Sequence, residues 1–215
     1  MERNEAERLC CVKVLDARDL PATPTLSIVG AGAAAALRAA GQTVAASETT
    51  SGGLLAAALL AQPGASAFFS GATVAYSKEA IATLLPEVAD VLTNQHQQAY
   101  DNPEGYFPSR VAWASMAAKS VRDQCGTTWG VAETGAAGPT FHLATGSGRT
   151  SGFTLVAVAG PEGLEEVRLV QTGHAERERN QWQFAAAAAQ LLQECVQKDR
   201  VCEGATGSTQ ESSSL

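Results

Sequence analysis

Basic clusters are missing from this chain of 215 residues, whose 15 Lys and Arg are outnumbered by 22 Asp and Glu to leave a net charge of −7. Association with a polyanion relies on clustered Lys and Arg that neutralise phosphates, so no nucleic-acid partner is expected. One phosphate held by backbone N–H groups stays compatible with an acidic protein. Histidine is sparse as well: His96, His142 and His174 stand alone with no two at ligand spacing, and no metal site is expected. The five cysteines, Cys10, Cys11, Cys125, Cys195 and Cys202, contain no CxxC pair and form an odd set, which fits a reduced, cytoplasmic protein. No apolar run is long enough to span a bilayer. The first eight residues, Met1 to Arg8, lack the apolar region of a signal peptide and are too acidic for a transit peptide. A membrane partner is therefore not expected either.

Small residues are abundant instead, and they concentrate where strands give way to helices. Thr43 to Ser47 has the β-branched, alternating character of a strand, and an alanine-rich apolar helix follows from Leu54. Between them Glu48-Thr49-Thr50-Ser51-Gly52-Gly53 offers three hydroxyls and two glycines without a bulky side chain. The glycines allow a sharp turn, the free N–H groups of the helix start would face outward to attract an anion, and a hydroxyl can cap the helix or attack a substrate. An ordinary capped turn is the plainer alternative. A second turn of this kind, Thr134-Gly135-Ala136-Ala137-Gly138-Pro139, follows the β-like segment Trp129 to Glu133. Two such turns at strand ends can line one crevice, as in open α/β sheets.

Along the chain the pattern predicts helix 25–40, strand 43–48, helix 52–62, strand 71–76, a helical or looped stretch, helix 109–124, strand 129–133, a long loop, strands 152–159 and 164–171, and helix 175–198. Alternation of this kind implies an α/β fold, a three-layer α/β/α arrangement with a sheet covered on both faces. Gly160-Pro161-Glu162-Gly163 should form a hairpin, which makes the sheet mixed and mostly parallel. The last helix places Trp182, Ala185, Ala186, Ala189, Leu192 and Val196 on one core-facing stripe. Residues 1–20 read as an extension, 21–199 as the domain and 200–215 as a disordered tail. The stretch from Thr140 to Ser151 reads as a lid, a binding loop or disorder, and residues 86–107 are poorly patterned.

The order of these motifs resembles the C-terminal domain of the competence-damage-inducible CinA proteins, a family that includes the nicotinamide mononucleotide deamidases. Its first motif, Glu-Ser-Cys-Thr-Gly-Gly, is matched by Glu48 to Gly53, and the following Pro-Gly-Ala-Ser by Pro63 to Ser66. Its strand ending in Tyr-Ser is matched by Gly71 to Ser77. The later Thr/Ser-Gly-Ile-Ala-Gly-Pro is matched by Thr134 to Pro139, with Ala136 in the isoleucine place. Several motifs in order are more specific than any one of them, and the resemblance covers roughly residues 25–198.

What the resemblance implies is a cofactor-free amidohydrolase that converts a pyridine nucleotide, such as nicotinamide mononucleotide, to its nicotinate form plus ammonia. A hydroxyl of the Thr49 to Ser51 run would attack the amide carbon, and N–H groups at Gly52, Gly53 or Gly135 would stabilise the oxyanion. Tyr76 would orient the nucleophile or donate a proton. Thr50, Thr134, Ala137 and Gly138 would hold the ring or phosphate, with Arg177 and Arg179 as the charged alternative to a merely solvated face. A homo-oligomer is allowed for. Departures from the family fall on the chemistry: Thr49 stands in the place of the nucleophilic serine, and Ile81 in that of the lysine expected as its base. Lys78, three residues earlier, would share a helical face with Ile81 and is the substitute base to consider. The family's Gly-Asp-Arg reads Gly173-His174-Ala175.

Two competing functions follow from other features. A binding module of the same fold, holding a nucleotide or protein without turnover, fits the lost serine and lysine. A dinucleotide oxidoreductase would use Gly30-Ala31-Gly32-Ala33-Ala34-Ala35 as a GxGxxA turn with Glu48 on the ribose, but Glu48 comes too soon for a full crossover and residues 25–40 read better as one helix.

Overall fold

The computed structural model describes residues 13–16, 25–89, 103–139 and 151–207. Its elements are β1 (Lys13–Asp16), α1 (Leu26–Ala40), β2 (Val44–Glu48), α2 (Leu54–Leu60), β3 (Phe69–Val74), α3 (Lys78–Leu84), α4 (Pro103–Cys125), β4 (Trp129–Ala136), β5 (Phe153–Ala159), β6 (Glu165–Gln171) and α5 (Arg177–Gly207). They build one six-stranded sheet in the order β1-β6-β5-β4-β2-β3. The pairs β1–β6, β4–β2 and β2–β3 are parallel, while β4–β5 and β5–β6 are antiparallel. The mixed, mostly parallel α/β sheet expected from the sequence is therefore present.

Two hydrophobic cores lie on opposite faces of the sheet, which makes the molecule three-layered. One face carries α1, α2 and α5, where Leu37, Leu55, Leu59 and the run Ala185 to Ala189 pack on Val44, Ala46, Val131 and Val156. The other carries α3 and α4, with Ile81, Trp113, Ala114 and Ala117 against Ala132, Leu155 and Ala157. Alanine is used where a helix must approach closely, since its methyl group fills little space and costs no rotamer entropy.

Helix α1 settles the dinucleotide alternative. Ser27 to Val29, which that reading needs as a strand, are helical, and the run continues unbroken to Ala40. Its glycines serve packing: a Cβ on Gly30 would collide with the carbonyl oxygen of Ala58 in α2, and one on Gly32 with the Gln193 side chain of α5. The helix ends where Gly41 adopts φ 65° and donates to Arg38 while Gln42 donates to Leu37, a Schellman closure.

Several boundaries differ from expectation. Lys13–Asp16, inside the segment read as an extension, forms an edge strand parallel to β6, since backbone pairing to an existing strand needs little sequence signal of its own. Helix α4 starts at Pro103, inside the poorly patterned stretch, and α5 continues past residue 200 to Gly207. Strand β4 runs to Ala136, so Thr134 and Gly135 are strand residues opposite Leu155 and Thr154 rather than part of a turn. Most of the Thr140 to Ser151 segment lies outside the described residues.

Candidate functional site

Strand β2 is the pivot of the sheet. From it the chain crosses through α2 to β3 on one side, then returns through α3 and α4 on the opposite face to β4 on the other side. The crevice outside the carboxyl ends of strands at such a reversal is where open α/β sheets bind ligands. Here it is formed by the Thr49 to Gly53 turn after β2, Ala75 to Ser77 after β3, and Ala137 to Pro139 after β4.

Two glutamates lie side by side on the paired strands, Glu48 as the last residue of β2 and Glu133 within β4. Ser47 lies opposite Ala132, and the next residues, Glu48 and Glu133, are both fully buried at 0% exposure. Glu48 turns back onto the start of α2: its Oε2 accepts from the N–H groups of Gly53 (2.9 Å) and Leu55 (3.1 Å), and its Oε1 from that of Ala56 (2.8 Å). Glu133 holds the turn from the other strand. Its Oε1 accepts from the N–H groups of Thr49 and Ser51, both at 2.7 Å, and its Oε2 from the hydroxyls of Thr50 (2.5 Å) and Thr154 (3.0 Å). Gly52 and Gly53, at φ 68° and 95°, supply the left-handed backbone that this tight path requires.

This geometry corrects the anion-binding role expected of the turn. The donors of the α2 start do not face outward, because the Glu48 carboxyl already takes them. Gly53 therefore has no N–H left for an oxyanion, whereas the N–H groups of Thr50 and Gly52 have no acceptor among the described residues. Burial raises the pKa of Glu48, the nearby Glu133 adds to the rise, and the Ser51 and backbone hydrogen bonds oppose it.

The three hydroxyls of the turn separate into two kinds. Thr50 is bonded to Glu133, and Ser51, fully buried, stands between Glu48 Oε2 at 2.6 Å and Glu133 Oε1 at 2.8 Å. Ser51 is thereby a structural link rather than an accessible nucleophile. Thr49 Oγ1, in contrast, is buried without any hydrogen-bond partner.

The first turns of α5 close the crevice. Arg177, Asn180 and Gln181 share one helical face through their three- and four-residue spacings. Arg177 donates to the Gly138 carbonyl at 3.0 Å and to the Tyr76 hydroxyl at 3.1 Å, joining the ends of β4 and β3. Asn180 Nδ2 donates to the carbonyls of Ala137 (2.8 Å) and His174 (3.0 Å). Those two acceptors fix the amide's orientation, and its Oδ1 is left buried and unpartnered. Gln181 lies beside the first turn, 3.1 Å from where a Cβ on Gly52 would stand.

The expected residues are therefore partly reunited. Thr49, Thr50, Ser51, Gly52, Gly53, Tyr76, Ala137, Gly138 and Arg177 border one crevice. Thr134 is buried and accepts from Arg110 at 3.5 Å, and a Cβ on Gly135 would strike the backbone of Phe153, so Gly135 serves the β4–β5 approach. Arg179 is exposed and paired with Glu176 at 3.2 Å, outside the crevice. Lys78 is exposed at the first turn of α3 while Ile81 packs into the core at 6% exposure, so the two do not share a buried face as the substitute-base reading expects. Glu133, Asn180 and Gln181 were not singled out from sequence. An acid closing an otherwise apolar strand directly before a Thr-Gly pair, as Glu48 closes β2, was the available signal for Glu133. Among the described residues no cluster of His, Cys, Asp or Glu is arranged to hold a metal, and no helix is long and apolar enough to cross a membrane.

Comparison with known proteins matches this arrangement to one family. Residues 29–196 match the CinA C-terminal domain. A CinA-like protein of Synechocystis is 32% identical over 193 residues, covering 87% of this chain and 40% of that protein. One of Parasynechococcus marenigrum is 35% identical over 134 residues, covering 61% of this chain and 28% of the relative. The chain thus spans well under half the length of these relatives. Among solved structures, the competence/damage-inducible protein CihA of Agrobacterium tumefaciens superimposes with a TM-score of 0.67 at 21% identity, covering 83% of this chain and 99% of that one. A CinA superfamily protein of Klebsiella pneumoniae does so with a TM-score of 0.65 at 23% identity, covering 81% and 99%. With most of its length matched by the family's model, this chain belongs to the CinA C-terminal domain family.

Proposed function

We propose that the crevice hydrolyses the carboxamide of a pyridine nucleotide such as nicotinamide mononucleotide, giving the nicotinate form and ammonia. The observation that carries this reading is Thr49 Oγ1, the one hydroxyl of the first turn that neither carboxyl binds. In this scheme Thr49 Oγ1 attacks the amide carbon, forming an ester as the C–N bond breaks and ammonia leaves with the hydroxyl proton; water then cleaves the ester. The unengaged N–H groups of Thr50 and Gly52 receive the oxyanion. Asn180 Oδ1, an acceptor without a donor, suits an amide N–H, which the acid product lacks. Arg177, held by Gly138 and Tyr76, suits the phosphate.

No described side chain accepts the Thr49 Oγ1 hydrogen and the atom is buried, so its proton passes to the leaving amine, and slow turnover is expected. That same absence favours the second reading, a nucleotide-binding protein of this fold without catalysis. Ammonia release from nicotinamide mononucleotide, measured with chelator present, tests the first reading. Binding of the nucleotide by calorimetry without ammonia above a heat-killed control would establish the second.

A further inference from the structure

A serine hydroxyl carries one hydrogen, and Ser51 Oγ faces two carboxyl oxygens at hydrogen-bond distance, Glu48 Oε2 at 2.6 Å and Glu133 Oε1 at 2.8 Å. All three side chains are fully buried. If both glutamates were ionised, that hydrogen could serve only one contact. The other would press a hydroxyl lone pair against an anionic oxygen, with water excluded. Neighbouring donors do not relieve this, because the N–H groups of Thr49, Ser51, Gly53, Leu55 and Ala56 and the hydroxyls of Thr50 and Thr154 already bind the same two carboxyls.

We propose that Glu48 and Glu133 share a single proton through Ser51, and that this proton positions the Thr49 to Gly53 turn. One carboxyl then donates to Ser51 Oγ while the Ser51 hydrogen goes to the other, and every short contact has its hydrogen. The pair carries one negative charge in place of two. Glu133, with two N–H and two O–H donors besides Ser51, is the better-served anion, and burial pushes Glu48 toward its neutral form. Cations do not take over this role: none of the ion pairs among the described residues involves either glutamate. Around the crevice, Arg110 of α4 reaches β4 at Thr134, and Arg177 of α5 reaches Gly138 and Tyr76. The oxygen of Glu133 that faces Ser51 also accepts the Thr49 N–H, so the shared proton sets the position of Thr49 directly. This holds whichever reaction the crevice performs.

Glu133→Gln is the discriminating variant. Its Oε1 can keep the N–H groups of Thr49 and Ser51, and its Nε2 can donate to Thr50 and Thr154, whose hydroxyls rotate to accept. With only one carboxyl left, the Ser51 hydrogen serves the Glu48 carboxylate and the other contact sets the hydroxyl lone pair against an uncharged amide oxygen, a far smaller penalty than against an anion, so no shared proton is required. At neutral pH the full-length natural protein should show the infrared carbonyl stretch of a protonated carboxyl, absent from Glu133→Gln, and should release one proton more on unfolding than the variant. No protonated-carboxyl band together with equal proton release overturns the proposal. If Glu133→Gln does not fold, carbon-13 NMR of the natural protein labelled at glutamate carboxyls decides: one side chain still protonated at neutral pH supports the shared proton, and none overturns it.

Discussion

Arg177 reaches across the crevice mouth to Tyr76, donating to its hydroxyl at 3.1 Å while the guanidinium lies 6.0 Å from the ring centroid. The two residues are 101 positions apart, and each is exposed, Tyr76 at 59%. An exposed guanidinium already oriented by two acceptors is prepared for a further anionic one. Arg177→Ala should therefore weaken binding of nicotinamide mononucleotide about tenfold, roughly 1.4 kcal/mol, with little change for the phosphate-free riboside. Calorimetric titration of both ligands checks this, and equal losses for the two would place the phosphate elsewhere.

Thr49 allows a test of the nucleophile. Thr49→Ser keeps the hydroxyl and removes a methyl group, so ammonia release should stay equal or rise, whereas Thr49→Ala should abolish it. Ser51→Ala should instead lower stability, because the link between two buried carboxyls is lost. Thermal melting beside the ammonia assay separates these outcomes. Turnover that survives in Thr49→Ala would remove Thr49 from the chemistry.

How much of this was legible in the sequence depended on whether a residue's role was local. The alternation of small-residue turns with apolar elements located β2, β4 and the crevice, and the Gly160 to Gly163 hairpin follows from its own four residues. The roles of the hydroxyls were not legible, because Glu133 selects among Thr49, Thr50 and Ser51 from more than 80 residues away. Asn180 was hidden for a similar reason: a polar residue at the start of a helix reads as solvated until the Ala137 and His174 carbonyls are seen against it. The N–H groups at the α2 start do not face outward because the side chain of Glu48, the last residue of β2, folds back onto the helix that follows.

The position of Ile81 reverses an intuitive experiment. Restoring the family lysine by Ile81→Lys would put an ammonium among Leu85, Val88 and Trp113. Burying an unpaired charge there should destabilise the protein by several kcal/mol instead of restoring a base. Lys78→Ala, at an exposed site, should leave both melting temperature and any turnover nearly unchanged. A folded Ile81→Lys with increased ammonia release would show that α3 can turn its face toward the crevice.

Glu48 also predicts how stability depends on pH. Its carboxyl is raised in the folded protein above the ordinary value of 4.5, so the folded state holds a proton that the unfolded chain has released. The stabilising contribution is complete below that ordinary value and declines as pH rises through the folded one. Over that window unfolding free energy should fall by up to about 1.4 kcal/mol per pH unit for this one proton. Urea titrations across the acid-to-neutral range would measure the slope. Glu48→Gln, which removes the titrating group itself, should flatten it, and an unchanged slope would assign the proton to another group.

Gly30 and Gly32, two residues apart on α1, should respond oppositely to the same substitution. A Cβ on Gly30 meets the backbone carbonyl of Ala58, and a helix backbone cannot move aside without separating α1 from α2. Gly30→Ala should therefore cost about 1–3 kcal/mol of stability as overpacking, exceeding the roughly 1 kcal/mol gained in helix propensity. A Cβ on Gly32 meets only the amide end of Gln193, which can swing to another rotamer. Gly32→Ala should then be neutral or stabilising by up to about 1 kcal/mol. Paired denaturation curves check this, and equal losses in the two variants would show that Gln193 cannot move aside.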